Sequence, residues 1–184
     1  AHGRNTAIGY NALKTLNAGA DAYNVAVGLS AGEVMTTGVY NVIVGGEAGD
    51  ALTSGTRNVA VGAGALGAED AHGYNVAVGH GSLTNLNAGG NGYNVAVGFE
   101  AAQAMTTGKW NTLVGALAGD VITDGTYNVL MGYDAGAGLV SGSGNIIMGQ
   151  SAAGALTAAA DHTIAIGHSA LTALTSGAGN IGIG

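Results

Sequence analysis

The side chains best suited to binding chemistry recur at a regular spacing of 17 to 19 residues. They are planar groups, which stack on one another or on a flat ligand, and they include both arginines and the only tryptophan. The members of this planar column are Arg4, Tyr23, Tyr40, Arg57, Tyr74, Tyr93, Trp110, Tyr127 and His162, with Gly144 and Gly179 in the remaining places. The column predicts either a structural ladder that seals a turn or an oligomer seam, or a strip that binds glycans.

Other residue types form no pattern of a catalytic or metal site. His80 and His168 are equivalent in the repeat but five repeats apart, about 24 Å at one strand spacing per repeat, which is too far to share a metal. The stretch from Gly62 to Gly67 fits the dinucleotide-binding pattern G-x-G-x-x-G but opens no helix. The acidic residues are typical of a solvated face: Glu33, Glu47, Asp50, Glu100, Asp120 and Asp134. We therefore expect no catalytic residue, no metal, no cofactor and no enzymatic activity.

Composition limits the partners of the chain. Of its 184 residues 36 are glycine, but 47% are hydrophobic, which argues against disorder. The net charge is −7 with only four lysines and arginines, so a nucleic-acid partner is not expected. No run of 18 apolar residues is present, so no membrane insertion is expected either.

One short pattern repeats from end to end, an asparagine followed by three apolar residues and a glycine. We number each coil from that first residue, which is Asn at every start except Thr163. The starts are Asn5, Asn24, Asn41, Asn58, Asn75, Asn94, Asn111, Asn128, Asn145, Thr163 and Asn180. The fifth positions are Gly9, Gly28, Gly45, Gly62, Gly79, Gly98, Gly115, Gly132, Gly149, Gly167 and Gly184.

A longer repeat is superimposed on the coils. Residues 5–74 and 75–144 are two copies of a four-coil unit, and 145–184 is a partial third. Each full unit begins with a 19-residue coil, whereas the other coils are near 17 residues. Duplication of whole coils is easy in a solenoid, because each coil contacts only its neighbours. The sequence thus predicts a single all-β domain over residues 1–184, a parallel β-solenoid of about ten coils.

The predicted strand of each coil spans positions two to four. Positions two and four are mostly valine or isoleucine and share one face, while position three is apolar and points to the other face. A strand that is apolar on both faces is covered on both. One thin coil cannot cover both, so we expect a homo-oligomer, in its simplest form a trimer with one strand face on the shared axis.

The rest of each coil is predicted to close against this strand. Position eight is alanine or Ser82, and position twelve is aliphatic except for Glu69, so these columns face the core and a coil should contain two short strands and two turns. We expect the Asn column to form a side-chain ladder between coils. Each glycine of the Gly column should adopt a backbone conformation that other residues cannot adopt, or lie where two backbones approach closely.

The coils resemble two related families. Asn5-Thr6-Ala7-Ile8-Gly9-Tyr10-Asn11-Ala12-Leu13 is similar to the repeats of phage tail-fibre proteins. The stretch from Thr163 to Leu171 resembles both those repeats and the heads of trimeric autotransporter adhesins. The resemblance covers the whole chain and implies a left-handed, trimeric β-roll, although adhesin heads use shorter coils.

The resemblance implies a fibre or adhesin segment, a stiff rod that displays or spaces a surface-binding part. Its expected location is extracellular, on a cell surface or a virion, and its expected partners are itself and a surface glycan or host-cell receptor. The alternative is a secreted filament subunit joined end to end, because neither end of the sequence shows a polar cap. The same ends also fit an excised piece of a longer solenoid.

Overall fold

The computed structural model describes residues 3–19, 21–156 and 160–184. In this part of the chain, the only regular elements are eleven parallel strands of three residues, stacked in chain order into one sheet. They are β1 (Thr6–Ile8), β2 (Val25–Val27), β3 (Val42–Val44), β4 (Val59–Val61), β5 (Val76–Val78), β6 (Val95–Val97), β7 (Thr112–Val114), β8 (Val129–Met131), β9 (Ile146–Met148), β10 (Ile164–Ile166) and β11 (Ile181–Ile183). The predicted all-β parallel solenoid of about ten turns is confirmed.

The register between strands is constant along the stack. Position two of one strand pairs with position two of the next, as in Val95 with Thr112, so every coil superimposes on its neighbour. Adjacent parallel strands lie about 4.8 Å apart, which gives a rod about 48 Å long from β1 to β11. Columns of equivalent residues therefore run the full length of the rod.

Only one strand forms in each coil, so the predicted second strand is wrong for the described residues. Extended backbone requires a negative φ. Positions seven and nine instead take positive φ, as at Glu100 (52°) and Ala102 (54°) in one coil and Leu117 (59°) and Gly119 (56°) in the next. The second side of each coil is therefore a series of tight turns.

The core lies inside the coils and is filled by position three together with positions eight, nine and twelve. Sizes at positions three and nine are reciprocal in eight of the ten coils, and the exceptions are Ala26 with Gly32 and Ala96 with Ala102. Where position three is the small Ala60 or Ala77, position nine is Leu66 or Leu83. Where position three is a bulky leucine or isoleucine, position nine is glycine or alanine, and a side chain added at Gly119 or Gly136 would collide with Leu113 or Leu130. In these eight coils the exchange supplies one bulky side chain to the interior, as close packing favours.

A fully buried asparagine at position one joins the coils, and Asn111 shows its two main hydrogen bonds. Its Nδ2 donates to the carbonyl of Gly125 at 2.8 Å, which closes its own coil from the inside. Its Oδ1 accepts the backbone N–H of Asn128 at 2.9 Å in the following coil. The amide therefore satisfies buried polar groups both within a coil and between coils.

The asparagine ladder gives a direct test of stability. Asn111→Ala removes the partners of Gly125 O and Asn128 N–H, both buried, so we expect the free energy of unfolding to fall by about 3 kcal/mol. The measurement is chemical denaturation followed by circular dichroism. Asn87→Ala, at an exposed asparagine, is the control and should change stability by less than about 0.5 kcal/mol. Equal effects of the two variants would contradict the ladder's role.

The glycine at position five is required for two reasons, seen at Gly98. Its φ is 144°, and a Cβ there would overlap the carbonyl of Gly115 in the next coil. Gly98→Ala should therefore destabilise the chain by about 3 kcal/mol or more. Gly46 has no atom within 4 Å of an added Cβ, so Gly46→Ala is the matched control with an expected change near zero. Thermal melts of both variants check this, and a G98A melt like that of wild type would disprove the steric argument.

Candidate functional site

The largest feature of the surface is an apolar strip formed by the strands. Position three of the strand is buried inside the coil, whereas positions two and four point outward and remain partly or fully exposed. We call the outward side chains of β1–β11 at positions two and four the valine face. It carries no charged residue, and Thr6 and Thr112 are its only polar members. The alternation of a strand thus puts one apolar face in the core and the other on the surface.

A column of mixed polarity lies beside the valine face at position six, directly after the invariant glycine. Its large apolar members are Tyr10, Leu29, Phe99 and Tyr133, all exposed, and its polar members are His80, Gln150 and His168. Phe99 stacks on His80 of the preceding coil, with ring centroids 5.4 Å apart. The aromatic residues at this position could have been found from the repeat alignment. In four coils, therefore, a large apolar side chain lies next to the valine face.

The planar column forms a stack on the outside of the rod. Tyr23 and Tyr40 lie with ring centroids 5.4 Å apart and 7° between their planes. The guanidinium of Arg57 lies between two rings, 5.4 Å from Tyr40 and 5.5 Å from Tyr74, and it also donates to the hydroxyl of Tyr74 at 3.1 Å. Tyr74 in turn stacks on Tyr93, with centroids 4.9 Å apart. Five successive coils are thus bridged by four aromatic rings and one guanidinium group.

Further contacts belong to the planar column. Arg4 extends the stack at its first end: it lies over the ring of Tyr23 at 5.3 Å, donates to the hydroxyl of that tyrosine and pairs with Asp21 at 3.1 Å. Further along the rod Trp110 and Tyr127 form a stacked pair with ring centroids 4.9 Å apart and nearly parallel planes, 3° apart. His162 lies close to Gly144, which has no side chain to separate them.

The backbone explains why these side chains line up. Every non-glycine residue of the planar column has a positive φ, between 51° and 65°, a region that large residues seldom occupy. The backbone N–H of Trp110 donates to Gly92 O at 2.8 Å, and equivalent bonds from Tyr40 and Tyr127 also reach the preceding coil. These bonds hold the strained residue in register, so that each ring projects over the one before it.

Stacking limits what the planar column can offer a ligand. Sugar rings bind to aromatic side chains through the ring faces, but in the stacked pairs those faces cover one another. What remains exposed is ring edges, phenol hydroxyls and guanidinium edges. The geometry thus favours the structural ladder of the two alternatives drawn from the sequence.

The acidic residues lie on the turn side of the coils. The carboxylate of Glu33 accepts Lys14 Nζ and Asn11 Nδ2, each at 3.1 Å. Partial burial raises the pKa of Asp50, as does the neighbouring charge of Glu47. Burial likewise raises the pKa of Asp120. These are features of a partly solvated acidic face.

The hydrophobic core is open at the first coil. A cavity of about 300 Å³ lies there, lined by Gly3, Arg4, Asn5, Ala7, Ala12, Leu13 and Leu16. Its walls are inward-facing core side chains, and it collects no set of groups suited to catalysis. Among the described residues, no helix is long and apolar enough to cross a membrane.

The Trp110–Tyr127 pair provides a spectroscopic test of the stack, because Trp110 is the only tryptophan. Tyr127→Ala uncovers one face of the indole, so acrylamide should quench its fluorescence more strongly than in wild type. Tyr133→Ala removes an equally exposed tyrosine from the position-six column and should leave quenching unchanged. Unaltered quenching in Tyr127→Ala would show that the pair is not stacked in solution.

Comparison of the chain with protein-family models, with curated proteins and with solved structures finds no match.

Proposed function

We propose that the chain is a structural or adhesive β-solenoid segment of an extracellular fibre, on a cell surface or a virion, that displays or spaces a surface-binding part. In this proposal the segment is a homo-oligomer, in its simplest form a left-handed trimer, with the valine faces of the copies against one another. The observation that carries the proposal is the continuous apolar face on the outside of the rod.

The charge distribution supports a second copy as the partner of this face. The chain has 11 acidic residues and a net charge of −7, yet none of its charges lies at positions two or four. Because this strip carries no charge along its full length, two copies that meet through it repel each other less than two copies that meet through the acidic surface. Copies that meet through it also bury valine and isoleucine side chains, which is favourable by about 25 cal/mol per Å².

The size of the strip is also suitable. Its length is about 48 Å, and the three strand residues from position two to position four give a width near 10 Å, so its area is roughly 480 Å². This is within the range of about 300–600 Å² for the largest apolar patches that monomers expose, and below the ~800 Å² that each partner contributes to a standard interface. Around a shared axis each copy contacts two others, which adds the flanking columns.

The shape of the molecule fits a spacer. The coils are superimposed by a constant register, and each is bonded to the next by strand, turn and asparagine hydrogen bonds. A solenoid of this kind is a rod whose length is set by the number of coils. The planar ladder adds stacking between successive coils on the surface, so we assign it to rigidity and place receptor binding in the displayed part.

Charged substitutions test whether copies of the chain associate through the valine face. We expect the wild-type chain to have a native mass of three times 17.6 kDa by size exclusion with light scattering. Val95→Glu with Val97→Glu places two carboxylates on the outward side of β6, in the middle of the strip, and should give a folded monomer. Thr107→Glu adds a charge at an exposed turn residue away from the strand and should leave the mass unchanged.

The wild-type mass decides the proposal even if the double variant fails to fold. A stable wild-type monomer would contradict it. Open-ended polymers would favour the filament alternative instead of a closed oligomer. A double variant with the wild-type mass would show that the copies meet through another surface.

A further inference from the structure

One acidic residue occupies a place in the core that is otherwise aliphatic. Glu69 is at position twelve, between Leu52 and Leu86 of the adjacent coils, and its side chain is 0% exposed. Burial of a carboxylate is costly unless the charge is paired or binds a cation. The reason for this residue must therefore lie in what surrounds it.

Two further ligand-type side chains lie beside it in the same turn. His72 Nδ1 is 3.1 Å from Glu69 Oε1 and 4.0 Å from Asp70 Oδ1, and the ligand atoms of all three residues lie within 4.8 Å of one another. Among the described residues no lysine or arginine forms an ion pair with either carboxylate. The Oε1 atom of Glu69 also accepts the backbone N–H of His72 at 3.2 Å. The two carboxylates therefore converge with an imidazole and backbone N–H groups, but no described lysine or arginine, to offset their charge.

The turn that carries these groups is fixed by its neighbours. The carbonyl of Asp70 accepts the backbone N–H of Thr53 at 2.6 Å and that of Ser54 at 3.1 Å. The carbonyl of His72 accepts Asn58 Nδ2 at 3.0 Å. Hydrogen bonds on both sides of the turn thus hold its backbone in place, which preorganises the three side chains.

We propose that Glu69, Asp70 and His72 form a binding site for one divalent transition-metal cation of the Zn²⁺ class. A mixed set of one imidazole and two carboxylates suits such ions, whereas Ca²⁺ and Mg²⁺ take oxygen ligands. Ligands at about 2.1 Å in a tetrahedral site lie about 3.4 Å apart, close to the 3.1 Å between Glu69 Oε1 and His72 Nδ1. The side chain of Asp70 is 51% exposed, so solvent water is available at this side of the site as a fourth ligand.

The site lies at the junction of the two four-coil units. Glu69 belongs to the last coil of the first unit, and its Oε2 accepts the backbone N–H of Ala88 at 3.4 Å, from the 19-residue coil that opens the second. A cation on Oε1 leaves this bond intact. The bound metal therefore fixes a turn whose glutamate also accepts a hydrogen bond from the next unit. The prediction of no metal rested on the distance between His80 and His168 and on the acidic residues at positions seven and ten, and it did not consider Glu69 with its neighbours.

The second unit supplies a matched control from the protein itself. Residues 70 places further on, in the equivalent coil, are Leu139, Val140 and Gly142. The triple variant E69L, D70V, H72G thus replaces the three ligands with residues that the same fold already accommodates. It removes the site without introducing a new kind of side chain into the coil.

Zinc titration of the full, chelator-treated chain tests the proposal. Isothermal titration calorimetry should give one Zn²⁺ per chain for wild type, at least tenfold weaker binding for His72→Gln, and none for the triple variant. His80→Gln removes a histidine outside the cluster and should bind like wild type. Co²⁺ should give visible absorption bands of a four-coordinate site in wild type but not in the triple variant.

Three results would overturn the proposal. They are no Zn²⁺ binding by wild type below 100-fold molar excess, equal binding by wild type and His72→Gln, and a loss in His80→Gln as large as that in His72→Gln. Circular dichroism of each variant separates loss of binding from loss of fold. Because the titration reports metal per chain, its outcome is independent of whether the chain forms a trimer.

Discussion

The buried asparagine amide is the interaction on which this solenoid depends. A coil of about 17 residues contains only three residues of strand, so the sheet alone supplies few hydrogen bonds between coils. Each amide adds a bond to the far side of its own coil and accepts one from the next coil, as Asn94 does through Gly108 O (2.9 Å) and Asn111 N–H (3.0 Å). An apolar side chain at this place would leave both groups buried without a partner, which costs about 1–3 kcal/mol each. Thr163, the one exception, still donates its N–H to Asn145, but its own hydroxyl has no hydrogen-bond partner among the residues that the structure describes.

The tight coil closed by this amide also dictates the unusual backbone. Positive φ recurs at positions five, seven and nine and at the residue before each coil. These conformations are unfavourable for non-glycine residues, and they persist because bonds to adjacent coils fix them. The same strain that closes the coil turns the planar side chains outward in register. The surface stack of Tyr23, Tyr40 and Arg57 is therefore a consequence of the turn geometry and adds stability to it.

The repeat allowed the strand bounds and the parallel order to be predicted, because equivalent residues in a solenoid must stack. It did not show the exchange of size between positions three and nine, since nothing in the sequence says that Ala60 and Leu66 share one interior. The second strand was predicted from apolar content alone, and the positive φ at residues such as Leu66 and Leu117 cannot be read from their types. Glu69 was noticed as an exception, but its pairing with His72 depends on how the turn folds.

Packing inside the coil explains why the second face of the strand lies on the surface. Positions three, eight, nine and twelve fill the interior, so no space remains there for the other face of the strand. A strand has two faces, and its own coil can bury only one. The valine face is therefore an obligatory consequence of a coil this thin, and its stability in water depends on what covers it. Leaving a long, uncharged strip of β-branched side chains exposed to water is costly. Another copy of the chain carries a strip of the same length and register that can cover it.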